Sequence, residues 1–199
     1  MTTIRHGHPA ADAMDWNEAM TLIDRMAQDA HYRDALLIAA GCYLGLRISD
    51  LLQLRWADLL SSDITLTEKK TGKQRSLRVA ERLQKFAASC RRALGSPAID
   101  SFVFIAEGKD APITRQAVDK MLKWAKVRYR IKSAKVFSSH SLRKTFGRRV
   151  WLQECDKGRG DQALLLLADV FGHTSIATTK RYLGIRQDEI LSVYDALDD

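Results

Sequence analysis

Residues 31–44 (HYRDALLIAAGCYL) place the strongest constraint on how this chain folds. Their apolar side chains fall on most faces of a helix, and a helix of that kind is normally buried by neighbouring elements. The run is shorter than the roughly 18 to 20 apolar residues that a membrane-spanning helix needs. We therefore predict a soluble globular domain in which this helix is buried.

The segments around this helix have the periodicities of amphipathic helices and of one small sheet. Asp15 is a candidate N-cap for a first helix. The apolar residues of that helix are Trp16, Ala19, Met20, Ile23 and Met26. Further helices are predicted at 48–54, 80–94, 114–130, 139–153, 161–171 and 187–197, and a short helix or turn is predicted at 174–182. Alternating β-formers on both sides of Thr71-Gly72 predict a hairpin, and FVFI at 102–105 predicts a short strand. With no βαβ alternation, we expect a mainly α fold with a small antiparallel β-sheet (α+β).

The positive charge of the chain is concentrated in one region. Twelve Lys or Arg residues lie between Arg115 and Arg149 against one acid, Asp119, although the whole chain carries only +8. The rest of the chain is therefore slightly acidic, and its last fifteen residues hold five acids and one base. A run of charge is often just a solvated helix face. An excess this concentrated favours a polyanion such as nucleic acid, because each neutralised phosphate releases a counterion.

The cysteines and the N-terminal segment indicate the compartment. The three cysteines, Cys42, Cys90 and Cys155, are widely spaced and form no metal-ligand pattern. An odd number of separated thiols is typical of a reducing compartment. The first sixteen residues have neither the apolar core nor the cleavage pattern of a signal peptide. We therefore expect a cytoplasmic protein with no membrane partner.

Six residues could together carry out phosphodiester chemistry, although each has an ordinary structural interpretation when taken alone. They are Arg47, Lys70, His140, Arg143, His173 and Tyr182. Arginine forks can hold the charge that develops on phosphorus, a lysine can protonate the leaving oxygen, and a histidine can assist a nucleophile. A tyrosine nucleophile keeps the bond energy in a phosphoester, so that rejoining needs no ATP. The set suits reversible strand transfer on DNA.

The order and wording of four segments resemble the catalytic domain of the tyrosine recombinase family, the phage integrases and their relatives. The segments are GLRISDLLQL, KTGKQR, HSLR and FGHTSIATTKRY, and the resemblance extends over about residues 16–195. Each fragment alone is common. Their order, together with the nine-residue spacing from His173 to Tyr182, is highly specific.

The resemblance implies a role for each residue of the set. Tyr182 would attack the scissile phosphate and form a 3′-phosphotyrosyl link. Arg47 and Arg143 would hold the non-bridging oxygens, and Lys70 would protonate the leaving oxygen, with Lys69 and Lys73 as nearby competitors. His140 would assist proton transfer at Tyr182 and His173 would hydrogen-bond the phosphate. Asp50 would be a supporting acid, and no metal, nucleotide or other cofactor is implied.

Partners and domain organisation also follow from the resemblance. Double-stranded DNA is the expected partner, bound by a dimer or tetramer that accessory DNA-bending proteins assist. Additional DNA contacts are expected from Lys69, Lys73, Arg75, Arg115, Lys144 and Arg181. Lys144 stands where many relatives have a histidine. Residues 1–15 are expected to be a flexible lead-in and 16–199 the catalytic domain, with the family's N-terminal core-binding domain absent. The apolar stripe at 190–197 would pack either on its own domain or on a neighbouring protomer.

Two other functions remain open at this stage. A type IB topoisomerase-like enzyme would use the same chemistry only to relax supercoils, and the wording of the GLRISD and FGH segments favours a recombinase over it. A catalytically silent DNA-binding regulator would keep the fold alone, and the complete set of six residues argues against it.

Overall fold

The structure is a computed structural model that describes residues 11–67, 72, 74–106 and 108–185. The described residues form nine helices and one hairpin. The helices are α1 (Trp16–Gln28), α2 (Tyr32–Leu44), α3 (Ile48–Leu51), α4 (Trp56–Leu60), α5 (Glu81–Ala93), α6 (Arg115–Arg128), α7 (Ser139–Cys155), α8 (Gly160–Phe171) and α9 (Ile176–Leu183). The strands are β1 (Asp63–Thr67) and β2 (Gln74–Arg78). The predicted fold class, mainly α with a small antiparallel sheet, is confirmed.

Helix α2 is buried, as its sequence predicts, and it lies in the middle of the domain. Most of its residues are buried, and it packs against α1, α5 and α7. The helix before it begins where the sequence indicates, because the Asp15 carboxylate accepts hydrogen bonds from the backbone N–H groups of Asn17 and Glu18 at 2.9 and 3.0 Å. Such a cap satisfies backbone donors that have no partner inside the helix. The large apolar core therefore forms around α2.

The hairpin is confirmed by the pairing of its strands. β1 and β2 are antiparallel, with Asp63 opposite Arg78 and Thr67 opposite Gln74. Lys69, Lys70, Thr71 and Lys73, which the sequence assigns to the turn, lie outside the described residues, as does the helix predicted at 187–197.

Two local predictions are wrong. The FVFI segment is not a strand, because its backbone pairs with different segments in turn: Phe102 bridges Arg55 and Ile105 bridges Pro112. Pro112 has no N–H to extend a ladder. The helix predicted at 48–54 ends at Leu51, and a separate helix, α4, starts at Trp56.

Helix α7 joins two apolar cores. The large core includes Leu142 of α7, whereas a smaller one is built from Leu164, Leu167, Phe171, Leu183 and Ile185 with Phe146 and Val150 of α7 packed against it. α7 contacts α2 on one side and α8 and α9 on the other. The shared helix fixes the position of α8 and α9 relative to α2.

The segment before α1 is packed where the structure describes it. Met14 is buried, and its N–H donates to the Thr145 hydroxyl at 2.9 Å. The backbone N–H of Asp12 donates to the Val136 carbonyl at 2.9 Å. At least this end of the expected lead-in therefore lies against the domain. Among the described helices, none has the length and apolar character to cross a bilayer.

We predict that Gly45→Ala destabilises the domain strongly. Gly45 ends α2 with φ +60°, and a Cβ there would lie 2.3 Å from a ring carbon of Phe146. Left-handed strain and overpacking together should lower the free energy of unfolding by about 2 to 5 kcal/mol, measured by urea denaturation. Gly95→Ala is the matched control, because Gly95 has φ +82° and no atom within 4 Å of the position that a Cβ would occupy. It should lose only about 1 to 2 kcal/mol, and equal losses would contradict a steric role for Phe146.

Candidate active site

Five of the six predicted catalytic residues line one cleft. Arg47, His140, Arg143, His173 and Tyr182 surround a cavity of about 740 Å³. Arg47 lies between α2 and α3, His140 and Arg143 lie on α7, His173 follows α8, and Tyr182 lies on α9. Residues far apart in the sequence are therefore brought together at the junction of the two cores. Lys70, the sixth, lies outside the described residues.

The two arginines are held by the C-terminal end of α8. The Phe171 carbonyl accepts hydrogen bonds from Nη2 of Arg47 and from Nη2 of Arg143, each at 3.2 Å. Arg143 also donates through Nη1 to the Gly45 carbonyl, and its guanidinium stacks 4.4 Å from the centre of the Phe171 ring. Carbonyls at the end of a helix carry partial negative charge, which favours cations there. The two guanidinium groups can therefore lie close together despite their like charge.

Gly172 makes this carbonyl accessible to the arginines. It ends α8 with φ +63°, a left-handed conformation that glycine adopts without strain. A Cβ at this position would lie 3.4 Å from Nη2 of Arg47. The glycine before His173 thus turns the chain and leaves room for the guanidinium.

The hydroxyl of Tyr182 is buried at the cleft, although its ring is partly exposed. It makes no hydrogen bond of good geometry within the described residues. The ring lies 5.3 Å from that of Phe171 and 5.2 Å from that of His173, both edge-on. Burial raises the pKa of Tyr182, whereas Arg143, through its charge and through a side-chain hydrogen bond of poor geometry, and the charge of Arg47 act in the opposite direction. A buried phenol beside two cations is a group that can react with an anion.

His173 is tied to the same helix as Tyr182. Its Nδ1 lies 3.0 Å from Oγ1 of Thr179, which is fully buried. Burial lowers the pKa of His173, and Arg143 and Arg47 lower it further. The ring is therefore neutral near pH 7. The tautomer in which Nδ1 accepts a hydrogen bond from the Thr179 hydroxyl leaves the hydrogen on Nε2, which can then donate to an oxygen in the cleft. In the opposite tautomer Nδ1 donates to Thr179, whose hydroxyl donates to the Ser175 carbonyl at 3.4 Å.

His140 stands at the mouth of the cleft at the start of α7. Its side chain is exposed, but partial burial is the largest cause that lowers its pKa, followed by the charge of Arg115. Asp119 opposes this shift. The same Asp119 accepts the backbone N–H of Ser139 at 2.8 Å and fixes the first turn of α7. A neutral imidazole at this place can take up a proton.

The other predicted site residues that the structure describes differ from one another in their burial and contacts. Asp50 is buried and accepts the Ser49 hydroxyl at 3.3 Å. Arg75 of β2 donates to the Val170 carbonyl beside Phe171, which ties the hairpin to the end of α8. Arg115 lines the cleft and pairs with Asp119 at 3.5 Å. Arg181 is exposed on α9, whereas Lys144 is buried and does not line the cleft.

Two contributors have no signal in the sequence. The Phe171 carbonyl is a backbone group, and its role depends on how α8 meets α2 and α7. Thr179 is one of several hydroxyl residues in TSIATTKRY, and nothing in its spacing distinguishes it from Thr178.

The chemistry of the cleft is that of an anion site with a nucleophile. Two guanidinium groups provide fixed, always charged donors, and two neutral imidazoles can donate or accept protons. Preorganised donors of this kind stabilise charge that develops on a phosphoryl group. Among these five residues, Tyr182 is the one whose side chain can form a phosphoester with phosphorus.

The sequence matches a family model and a named relative. Residues 12–189 match the model described as the phage integrase family. The chain is 34% identical over 186 residues to the tyrosine recombinase XerC of Xanthomonas axonopodis pv. citri (strain 306). The alignment covers 92% of this chain but 57% of that protein. The chain thus spans little more than half the length of this relative.

Solved structures share the fold. The XerA recombinase matches with a TM-score of 0.67 and 21% identity, covering 100% of this chain and 67% of that one. The XerH site-specific recombinase bound to a palindromic difH substrate, in a post-cleavage complex, matches with a TM-score of 0.64 and 20% identity. That match covers 96% of this chain and 56% of the XerH chain. At these identities the likeness establishes the fold.

Proposed function

Because this chain belongs to the phage integrase family, we propose that it cuts and rejoins double-stranded DNA at specific sites through a 3′-phosphotyrosyl intermediate. Tyr182 is the nucleophile of this reaction. The observation that supports the proposal most directly is the buried Tyr182 hydroxyl in a cleft with Arg47 and Arg143, whose positive charges act on it. A buried phenol whose pKa is shifted by burial and by two adjacent cations is typical of a functional site.

The reaction we propose is balanced without an external cofactor. The Tyr182 oxygen attacks phosphorus and loses its proton towards His140, while the bond from phosphorus to the 5′ oxygen breaks. Lys70 gives a proton to that oxygen, so a 5′ hydroxyl leaves. Arg47, Arg143 and Nε2–H of His173 hold the non-bridging oxygens as charge develops. The reverse reaction, with a 5′ hydroxyl from another strand, reseals the DNA and frees Tyr182.

DNA binding is supported by charge and by the relatives. The basic region from Arg115 to Arg149 includes α6 and most of α7, and Arg115, His140 and Arg143 within it line the cleft. The XerH match was solved bound to a palindromic difH substrate in a post-cleavage complex. We propose that the chain acts as a dimer or tetramer on DNA with residues 16–199 as its catalytic unit, in the cytoplasm, and with DNA-bending proteins as accessories. The matched relative and structures are named recombinases, which favours this function over a topoisomerase or a silent regulator.

Trapping a covalent adduct tests the proposal without knowledge of the target site. Purified protein is incubated with randomly nicked genomic DNA from its source organism, denatured in SDS, and the protein-linked fragments are sequenced. A nick next to the scissile phosphate releases a short strand, so that rejoining fails. We expect linked 3′ ends at one or a few sites. DNA binding with no linked ends would favour the silent regulator.

We also predict that Thr179→Val slows cleavage by about tenfold, because the tautomer and orientation of His173 are no longer fixed. The hydroxyl bonds His173 at 3.0 Å and the Ser175 carbonyl at 3.4 Å, so its loss should lower the free energy of unfolding by about 1 to 2 kcal/mol. Single-turnover adduct formation on a mapped site measures the rate. Thr178→Val is the control, since Oγ1 of Thr178 bonds Ser175. Equal rates in the two variants would show that Thr179 does not act through His173.

A further inference from the structure

Lys144 contacts the face of the Tyr182 ring from outside the active-site cleft. Its Nζ lies 5.1 Å from the centre of that ring, within the range of a cation–π interaction. Lys144 follows Arg143 on α7, so the two side chains leave the helix about 100° apart. Arg143 therefore points into the cleft, and Lys144 reaches the same tyrosine from another side.

The surroundings of Lys144 separate it from the proposed phosphate site. It lines a second cleft, of about 680 Å³, together with Asp12, Thr145, Arg148 and Leu183. This cleft shares no lining residue with the active-site cleft. Lys144 keeps only 9% of its surface exposed. A buried lysine that faces an aromatic ring has lost most of its water, which strengthens its attraction to the ring.

Phe171, His173 and Lys144 consequently all meet the ring of Tyr182. Phe171 and His173 meet it edge-on, at 5.3 and 5.2 Å, and Lys144 supplies a charge at 5.1 Å. A nucleophile must stay aligned with phosphorus to react quickly, so a group that limits the motion of the ring raises the rate. A nearby positive charge also favours the ionised phenol over the neutral one.

We infer that Lys144 is a positioning residue for Tyr182, which holds the ring of the nucleophile through a cation–π contact and favours ionisation of its hydroxyl. This inference rests on the proposed function, since it gives Lys144 a part in the reaction of Tyr182. It assigns Lys144 a different task from the DNA contact that the sequence suggests. The charge of the side chain, and not its length alone, is the property that matters.

Neutral and charged replacements of Lys144 test the inference. Lys144→Met keeps the apolar stem, Lys144→Gln keeps a polar end, and Lys144→Arg keeps the charge. We expect both neutral variants to bind the mapped DNA site with unchanged affinity and to form adduct about tenfold more slowly. Lys144→Arg should restore the rate to within about threefold of the wild type. Neutral variants that cleave at the wild-type rate, or an arginine variant as slow as methionine, would overturn the inference.

A second readout needs no DNA. The ionisation of Tyr182 is followed by the ultraviolet absorbance of tyrosinate as the pH is raised. The absorbance of each protein is compared with that of the same protein carrying Tyr182→Phe, and the difference belongs to Tyr182. Arg47, Arg143 and His173 also face the ring, and Asp12 and Arg148 act on Lys144. These groups are the same in every variant. The neutral variants should raise the pKa of Tyr182 and Lys144→Arg should not. If the pKa of Tyr182 were unchanged in Lys144→Gln, Lys144 would not favour ionisation of the Tyr182 hydroxyl. If the wild type formed no adduct, the proposed function would be refuted, and the pKa comparison would still report on the contact between Lys144 and Tyr182.

Discussion

Tyr182→Phe should abolish adduct formation while leaving the fold and DNA binding intact. The substitution removes the one oxygen that bonds to phosphorus, and loss of a nucleophile slows such reactions by at least about ten-thousandfold. The hydroxyl makes no hydrogen bond of good geometry among the described residues. The hydroxyl interacts with Arg143 only outside good hydrogen-bond geometry, so its removal should change the free energy of unfolding by no more than about 1 kcal/mol in either direction. Adduct yield and urea denaturation measure the two effects.

Tyr129→Phe is the matched control for this substitution. The Tyr129 hydroxyl donates to the carboxylate of Asp29 at 2.9 Å, far from the cleft. We expect this variant to lose about 1 kcal/mol of stability and to cleave at the wild-type rate. Tyr182→Phe should thus lose adduct formation and keep its stability, whereas Tyr129→Phe should lose stability and keep its cleavage rate. A Tyr182→Phe variant that still forms adduct would remove Tyr182 from its role.

Arg143→Met should damage both activity and stability. Loss of one fixed donor to a developing oxyanion slows such reactions by about a hundredfold to a thousandfold. Arg143 is buried, bonds the carbonyls of Gly45 and Phe171, and stacks on the Phe171 ring. The Gly45 carbonyl would lose this donor inside the protein, so the free energy of unfolding should fall by about 2 to 4 kcal/mol. Single-turnover cleavage and urea denaturation report the two losses.

An exposed arginine provides the control for charge. Arg92 lies on the surface near the end of α5 and makes no ion pair within the described residues. Arg92→Met removes the same charge, and we expect changes of less than about 0.5 kcal/mol in stability and no change in the cleavage rate. If Arg143→Met were no worse than Arg92→Met, the cleft would not be the reaction site.

The elements that the sequence predicts well are those that local physics determines. Asp15 caps α1 as its side-chain chemistry requires, and the apolar faces of 31–44 make α2 a buried helix. The hairpin follows from the alternation on both sides of Thr71-Gly72. The FVFI segment has the composition of a strand, but a strand also needs a continuous partner, and Pro112 interrupts the pairing. Whether a segment has a continuous pairing partner depends on the tertiary structure.

The same distinction applies to the site. The motifs identify Arg47, Arg143, His173 and Tyr182 by residue type and spacing, and the structure brings them into one cleft. They do not indicate that the Phe171 carbonyl holds both arginines, because backbone groups have no sequence signature. Lys144 is one of twelve bases in its region, and only the packing of α9 on α7 puts it beside Tyr182. Its role could not be predicted from the chain alone.

The identity of the linked residue is the most direct test of the account. Adducts trapped on nicked DNA are digested with nuclease and trypsin, and the modified peptide is sequenced by mass spectrometry. Since Lys180 and Arg181 precede Tyr182, trypsin releases a short peptide that begins at the nucleophile. The account predicts a nucleotide joined through its 3′ phosphate to Tyr182. A nucleotide on any other residue, or DNA bound by the wild type with no modified peptide, would contradict it.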